Sequence, residues 1–360
     1  MASESIPVID CSPLFSSAEW DSPMCSAAIA EIHAAFCTWG VFILTGTNAI
    51  PPALANKTRD VLTKFFSLPL PRKMALHLKD GGWAWRGYMP WGGEGTKGNI
   101  DQKEGFYGGP ELASDDEHPL KGMPTFGENQ FPDDELPEMR HLVLEYIEKV
   151  TQLGLTISDA ISLGLGLDQR EIKRRLLDPK PIQLFRSFKY YRKPGVDSCG
   201  IGEHSDFGFL TILSQNATGL QMLSPSKKWV DVPLIPDSYV VNVGDILDRL
   251  TLGVYISPLH RVLPPEPNSD RLSIPFFFDP AWNAEVKPLP LPGRGDKETP
   301  SSAARERWNR NSTFKDLQGI WGQYLGVKVQ KIFPDLILPE FSAVTRPSGR
   351  HLVEIRREEP

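Results

Sequence analysis

The feature that most constrains the fold is a succession of short apolar runs in the second half of the chain. After Gln183 the apolar residues take up the two-residue period of strands, and Gly, Pro, Asn and Asp residues separate the runs. Several short strands at close spacing favour a sandwich or jelly roll over alternating β-α-β units. The predicted strands are Leu184–Tyr191, Phe207–Leu213, Leu220–Leu223, Tyr239–Val243 and Leu272–Phe278.

Helical periodicity is confined to the regions on either side of these strands. Two short apolar runs, Ile6–Ile9 and Val41–Leu44, alternate with helical segments and predict a small α/β region at the N-terminus. Residues 79–135 are polar and rich in Gly and Trp, which predicts a loop. The predicted helices are Ala27–Thr38, Leu54–Phe66, Glu138–Leu165 and Thr313–Phe333.

Composition excludes several classes of protein. With 39 Lys and Arg against 45 Asp and Glu, the net charge of −6 offers no general attraction to nucleic acid. Four widely spaced cysteines without a C-x-x-C pair argue against a disulfide framework or a cysteine zinc site. No apolar run approaches the roughly 18 residues of a membrane span, and the N-terminus lacks the pattern of a secretory leader. We therefore expect a cytoplasmic protein with no membrane or nucleic-acid partner, present as a monomer or weak homodimer.

Three residues of the second half have the character of metal ligands. His204 and Asp206 are two positions apart at the start of a predicted strand, where alternate residues face the same way. His260 is a candidate for a third ligand. Each residue alone is compatible with a core or surface position. Together, two histidines and one carboxylate form the facial set that suits non-haem Fe(II), whereas structural zinc sites use four ligands, often cysteines.

A possible anion site follows on a later strand. Arg271 and Ser273 share one face of the predicted strand through their two-residue spacing. A guanidinium presents a planar fork that suits a carboxylate, and the serine hydroxyl can donate beside it. A surface arginine in an ion pair is the alternative interpretation. Next to an iron site, however, the pair would suit a dicarboxylate cosubstrate.

These segments together resemble a known family. The strings H-S-D at 204–206, S-P-L-H-R-V at 257–262 and R-L-S at 271–273 are similar to those of the iron- and 2-oxoglutarate-dependent dioxygenases of the isopenicillin N synthase-like, or plant-type, family. The N-terminal I-P-V-I-D and the central K-Y-Y-R-K-P-G also fit, although Lys189 and Arg192 replace the Asn and Pro of the family segment. The resemblance covers most of the chain.

The resemblance implies a fold that is mainly β with α. Its core would be a double-stranded β-helix, or jelly roll, flanked by an N-terminal α/β region, a long central helix and a C-terminal helix. The implied division is an N-terminal dioxygenase region, a helical connector, the Fe(II)- and 2-oxoglutarate-binding jelly roll, and a C-terminal helix and tail, at residues 1–125, 126–180, 181–285 and 286–360.

The resemblance also implies roles for individual residues. Fe(II) would be bound by His204, Asp206 and His260. The iron would in turn be chelated by 2-oxoglutarate, whose far carboxylate would meet Arg271, Ser273 and Tyr191, and O2 would be the other cosubstrate. The substrate would be a small organic molecule, with contacts predicted for Phe277, Phe207 and Phe106. A loop containing Trp83, Trp85 and Trp91 could form a lid.

Three functions remain open at this point. The first is a 2-oxoglutarate-dependent oxygenase that hydroxylates, desaturates or cyclises a substrate of specialised metabolism and releases succinate and CO2. The second is an iron oxidase of the isopenicillin N synthase or aminocyclopropanecarboxylate oxidase kind, which shares the Arg-x-Ser pair but does not consume 2-oxoglutarate. The third is a jelly-roll binding protein without catalytic activity.

Overall fold

A computed structural model gives the fold. The elements below lie within the residues that the structure describes, which are 4–16, 19–96, 98–112, 123–191, 199–265, 269–293, 299–311, 319–332, 341–346 and 349–354. The α-helices are α1 (Pro23–Thr38), α2 (Pro52–Ser67), α3 (Leu70–Met74), α4 (Pro137–Gly164), α5 (Asp245–Leu250), α6 (Ser302–Asn311) and α7 (Trp321–Ile332). A π-helical turn covers Lys173–Leu177. The first seven strands are β1 (Val8–Asp10), β2 (Val41–Thr45), β3 (Gly87–Met89), β4 (Gly95–Thr96), β5 (Asn99–Ile100), β6 (Lys103–Gly108) and β7 (Ile182–Tyr190). The remaining strands are β8 (Ile201–His204), β9 (Leu210–Gln215), β10 (Leu220–Leu223), β11 (Trp229–Asp231), β12 (Tyr239–Val243), β13 (His260–Val262), β14 (Arg271–Asp279), β15 (Phe341–Arg346) and β16 (Gly349–Glu354).

Two sheets form the centre of the protein. The larger has eight strands in the order β1-β2-β12-β9-β14-β7-β6-β3, and the smaller has four in the order β11-β10-β13-β8. Successive strands cross between the two sheets, because β8, β10 and β13 belong to the smaller one while β9, β12 and β14 belong to the larger. This arrangement is consistent with a jelly-roll core and confirms the predicted fold class.

The long helix α4 covers the outer face of the larger sheet. Both α1 and α2 pack against α4, which also contacts β7, β9 and β14. Strand β14 shows the division of its two faces: Phe276 and Phe278 are fully buried in the core, whereas Ser273 and Phe277 line a cavity between the sheets. The sheet is therefore apolar toward the helices and chemically mixed toward the cavity.

The prediction of a loop at residues 79–135 was only partly right. Strands β3 to β6 lie within it, and β6 pairs with β7 as a full member of the larger sheet. The sequence of β6 has no apolar alternation, because its polar side chains are buried as ion pairs: Lys103 lies 3.1 Å from Glu94, and Glu104 lies 2.6 Å from Lys73. Periodicity cannot detect a strand whose charges are compensated by other elements.

The predicted C-terminal helix also differs from the structure. Of Thr313–Phe333, residues 321–332 are helical as α7, whereas Gly319 and Ile320 precede the helix in a bend and an isolated bridge. Residues 312–318 and Phe333 lie outside the described residues. The additional helix α6 was not predicted. In the described part of the chain, no helix combines the length and apolarity required to cross a membrane.

Packing between α4 and the sheet generates a stability prediction. A Cβ added to Gly154 would lie 2.9 Å from the buried ring of Phe278. Alanine would gain about 1 kcal/mol from helix propensity, but overpacking costs about 1–3 kcal/mol, and so short a contact requires the fully buried ring or the helix to shift. We expect Gly154→Ala to lower the free energy of unfolding, measured by urea denaturation.

The exposed Gln152→Ala on the same helix is the matched control, with an expected change within about 0.5 kcal/mol. In a Phe278→Leu background the cost of Gly154→Ala should shrink, since the opposing ring is gone. A stabilised Gly154→Ala variant would contradict the proposed contact between helix and sheet.

Candidate metal centre

A cavity of about 480 Å³ lies between the two sheets. Its volume falls within the range of small-molecule sites. The larger sheet contributes alternate residues of β7 and β14 to its wall, and the smaller sheet contributes His204, His260 and neighbouring apolar side chains. The predicted ligands and the predicted anion site thus open into the same cavity.

The three predicted ligands converge in this cavity. Their potential ligand atoms all lie within 4.8 Å of one another. Asp206 Oδ1 is 3.6 Å from His260 Nε2 and 4.0 Å from His204 Nε2, and the two imidazole rings are 4.2 Å apart between centroids. In the described residues, this is the one cluster of three or more His, Cys, Asp or Glu side chains that could hold a metal ion.

Backbone register places the two histidines side by side. His204 is the last residue of β8 and His260 the first of β13, and the two are direct partners in the antiparallel pairing of these strands. Asp206 lies beyond the end of β8, in the connection that leads to β9 in the other sheet. The expectation that His204 and Asp206 share a strand face was therefore wrong, although the two side chains do meet.

Both imidazoles have one nitrogen occupied by the backbone. His204 Nδ1 lies 2.7 Å from the carbonyl oxygen of Gly202, and His260 Nδ1 lies 3.3 Å from that of Pro258. A proton on Nδ1 can be donated to each carbonyl, which leaves Nε2 as a lone-pair donor toward the cavity. Desolvation, followed by the proximity of His260, lowers the pKa of His204 to about 3, so that the ring is neutral at physiological pH.

The larger sheet orients the carboxylate. Asp206 Oδ2 accepts hydrogen bonds from Thr211 Oγ1 at 2.6 Å and Asn242 Nδ2 at 2.8 Å, and Oδ1 is directed to the histidines. Burial by itself would raise the pKa of Asp206. The two imidazoles and these two hydrogen bonds outweigh burial and lower the pKa, which keeps the carboxylate ionised. Two imidazole nitrogens and one anionic oxygen form a donor set that fits Fe(II).

The predicted anion site is a buried arginine with spare donors. Arg271 is 2 % exposed and donates from Nη2 to Gln215 Oε1 at 2.9 Å, while its Nε and Nη1 have no hydrogen-bond partner among the described residues. An unpaired buried donor is costly, more so on a charged group. A carboxylate bound at this position would satisfy these nitrogens, so the residues fit a dicarboxylate cosubstrate.

The tyrosine beside Arg271 is Tyr190 and not the predicted Tyr191. Tyr190 is the direct cross-strand partner of Arg271, whose guanidinium lies 4.8 Å from the tyrosine ring, and its hydroxyl is 3.3 Å from Ser273 Oγ. Tyr191 follows the end of β7 and contacts Trp91 instead, at 6.5 Å between ring centroids. Strand alternation directs only Tyr190, the first member of the Tyr-Tyr pair, into the cavity.

Two of the three predicted aromatic contacts line the cavity, and the third does not. Phe207 and Phe277 both line the cavity, and Phe207 stacks on Trp321 of α7 at 5.9 Å between centroids. Phe106 does not line it, because it is fully buried against Phe65 on the opposite face of β6. The next residue, Tyr107, is the one that faces the cavity. Of the three loop tryptophans, Trp85 lines the cavity.

A charged wall of the cavity was missed from the sequence. Lys103 is buried between Glu94 and Asp101, at 3.1 and 3.5 Å, and Arg186 lies nearby on β7. Arg186 is four positions before Tyr190, which is an even spacing and therefore the same strand face. That spacing was the available signal for Arg186, whereas the pairing of Lys103 and Glu94 depends on the unpredicted strand β6.

Sequence models of known families match two parts of the chain. Residues 6–134 match the N-terminal domain of the non-haem dioxygenase in morphine synthesis. Residues 181–280 match the 2OG-Fe(II) oxygenase superfamily, where 2OG is 2-oxoglutarate. The second match includes all three candidate ligands, together with Arg271 and Ser273.

Curated relatives cover most of the chain. A probable iron/ascorbate oxidoreductase of Dictyostelium discoideum is 34% identical over 85% of this chain and 89% of its own length. A 1-aminocyclopropane-1-carboxylate oxidase of Dictyostelium mucoroides is 32% identical over 93% of this chain and 96% of its own length.

Among solved structures, a full-length protein of Neurospora crassa in complex with alpha-KG and thymine has the same fold. It superposes with a TM-score of 0.71 at 23% identity, covering 93% of this chain and 98% of that chain.

The support of Asp206 by Thr211 generates a prediction about metal affinity. Thr211→Val removes the hydroxyl but keeps the shape of the side chain, so Asp206 loses one of the two hydrogen bonds that orient it. Loss of such a supporting group typically weakens metal binding by about 10- to 100-fold. We expect a loss of this size in Fe(II) affinity, measured by anaerobic isothermal titration calorimetry.

Thr63→Val on the exposed face of α2 serves as the control and should leave the affinity unchanged. Asp206→Ala should abolish binding. If Thr211→Val bound Fe(II) as tightly as the wild type, the orienting role of the hydroxyl would be refuted.

Proposed function

The chain belongs to the 2OG-Fe(II) oxygenase superfamily, and from this premise we propose that it oxidises a C–H bond of a small organic substrate at an iron bound by His204, Asp206 and His260. The enzyme class is that of a 2-oxoglutarate-dependent non-haem iron dioxygenase, with Fe(II) and 2-oxoglutarate as its cofactors. Hydroxylation, desaturation and ring closure are the outcomes available to it, and we place the substrate in specialised metabolism.

The observation that carries this proposal is that the candidate metal site and the candidate anion site lie in one cavity. Three side chains supply donors for a facial metal site. In the wall of the same cavity, Arg271 presents two nitrogens that have no hydrogen-bond partner among the described residues. A binding protein with only a structural metal has no need of a buried unpaired guanidinium. A dicarboxylate that chelates the metal through one end would meet Arg271, Ser273 and Tyr190 with the other.

The chain's own residues orient the metal ligands and enclose the substrate. Thr211 and Asn242 donate to Oδ2 of Asp206 and thereby orient Oδ1, the ligand oxygen, while backbone carbonyls fix the histidine rings. Phe207 and Phe277 supply apolar wall on which a substrate can pack. When bound, Fe(II) with 2-oxoglutarate and O2 supplies the oxidising power: for a hydroxylation, substrate C–H, O2 and 2-oxoglutarate become substrate C–OH, succinate and CO2.

One second candidate is an iron oxidase that does not consume 2-oxoglutarate. It is favoured by the similarity to a 1-aminocyclopropane-1-carboxylate oxidase over nearly the full chain. The position of Arg271 does not distinguish the two candidate functions, since a carboxylate from another molecule could bind to this arginine. The consumption of 2-oxoglutarate distinguishes them.

The deciding experiment is a screen of candidate metabolites with full-length protein, Fe(II), O2 and 2-oxoglutarate. We expect a productive substrate to yield one succinate for each oxidised product, both measured by mass spectrometry. Asp206→Ala, tested with the same substrate, should yield neither. Product formation without 2-oxoglutarate would establish the oxidase, and product without Fe(II) would refute both candidates.

The cosubstrate site makes a further prediction about single residues. Arg271→Gln leaves the far carboxylate of 2-oxoglutarate without its charged partner, and charged hydrogen bonds contribute about 1.5–3 kcal/mol each. We expect 2-oxoglutarate to bind the Fe(II)-loaded variant at least about tenfold more weakly, measured by anaerobic calorimetry.

Two tyrosine variants test the assignment within the Tyr-Tyr pair. Tyr190→Phe should weaken 2-oxoglutarate binding, because the hydroxyl beside Ser273 is lost. Tyr191→Phe is its matched control and should leave the affinity unchanged, since Tyr191 lies against Trp91. The reverse result would restore the assignment made from the sequence.

A further inference from the structure

The cavity contains a second buried arginine that the cosubstrate does not require. Arg186 lies on β7, is 3 % exposed and lines the cavity together with Trp85 and Tyr107. We propose that Arg186 binds a carboxylate of the substrate, and that the substrate is therefore a small organic acid with an apolar body. This inference rests on the proposed function and adds to it the chemical class of the substrate.

The guanidinium of Arg186 is held rigidly, with one nitrogen to spare. Its central carbon lies 4.6 Å from the ring of Trp85 and 4.1 Å from that of Tyr107. Nη1 donates to the carbonyl oxygens of Phe185 at 2.9 Å and Gly108 at 3.4 Å, whereas Nη2 has no hydrogen-bond partner among the described residues. Stacking and Nη1 thus fix the plane of the fork, and Nη2 still needs an acceptor.

The nearby acids do not neutralise this arginine by direct pairing. Glu94 is occupied by Lys103, 3.1 Å away, and accepts a hydrogen bond from the hydroxyl of Tyr107. Asp101 is also paired with Lys103, and the buried carboxyl of Asp279, which acts electrostatically on Arg186, accepts a hydrogen bond from the backbone N–H of Phe209. Within the described ranges, Arg186 has no carboxylate at ion-pair distance. Burial lowers the pKa of Arg186 to about 10, so that the guanidinium is still charged at neutral pH.

Arg186 is too far along its strand to share the carboxylate of Arg271. Arg271 is the cross-strand partner of Tyr190, and Arg186 precedes Tyr190 by four residues. At about 3.3 Å per residue, that separation is roughly 13 Å along the strand. The cavity therefore presents two buried guanidinium groups at separate places: one suits the cosubstrate, and the other is available for a second anion.

The walls around Arg186 suit the remainder of such a substrate. Trp85, Phe207 and Phe277 offer aromatic surface in the same cavity. A carboxylate anchored on Arg186 would hold an attached apolar body against these rings and fix which C–H bond faces the metal ligands. Arg186 is in this view a specificity-determining residue rather than a structural one.

The test compares acids with their uncharged isosteres. The probes are a library of aryl and alkyl carboxylic acids, each paired with its own primary amide. Binding to the full chain, loaded with Fe(II) and saturated with 2-oxoglutarate under anaerobic conditions, is measured by calorimetry. We expect the acids that bind to do so about 10- to 100-fold more tightly than their amides, as a charge-assisted hydrogen bond provides.

Variants assign the preference to the residue. Arg186→Gln should abolish the preference for acid over amide while the affinities for Fe(II) and 2-oxoglutarate remain, and Arg186→Lys should retain part of it. Lys189→Gln is the matched control, because Lys189 is a cation of the same strand that is paired with Asp270 outside the cavity. It should preserve the full preference.

Two results would overturn the inference. One is a wild-type protein that binds no acid more tightly than its amide, a comparison that does not depend on the folding of any variant. The other is a preference that persists unchanged in Arg186→Gln. In both cases the proposed function would stand as long as the Fe(II)-loaded protein binds 2-oxoglutarate. A wild-type protein that does not bind 2-oxoglutarate would refute the proposed function itself.

Discussion

The two sheets are linked chemically at Asp206, and the candidate site depends on that link. One oxygen of this carboxylate is held by Thr211 and Asn242 of the larger sheet, while the other faces two histidines from adjacent strands of the smaller sheet. A buried carboxylate is stable as an anion only where such partners compensate for lost water. The same contacts therefore position the site and make its burial energetically tolerable.

Strand alternation explains how one cavity can combine the candidate metal ligands, a buried arginine and an apolar wall. Along β14, the residues facing α4 are apolar core, and those facing the other sheet include Arg271, Ser273 and Phe277. Along β7, the same alternation places Arg186 and Tyr190 in the cavity. The helices supply a hydrophobic support, so the inner face is free to carry charged groups.

Much of the site could be predicted because its residues are close in sequence or evenly spaced. The pair at 204 and 206 and the pair at 271 and 273 have recognisable patterns, and His260 was a candidate by residue type that the resemblance assigned to the same site. The prediction was wrong where one residue of register mattered: Tyr190 occupies the place assigned to Tyr191, and Tyr107 faces the cavity where Phe106 was expected. A shift by one position reverses the face of a strand, and a sequence without its partner strands does not specify that position.

The sequence by itself determined the class of the fold, the candidate metal ligands and the arginine of the candidate anion site, because these depend on local periodicity and on residue chemistry. Only the tertiary structure decided what surrounds them. Strand β6 escaped recognition since its charges are compensated by distant residues, and the spare nitrogen of Arg186 is defined by the lack of a partner among the described residues. Burial and the pairing of polar groups are properties of the folded chain, so they cannot be predicted from single sequence segments.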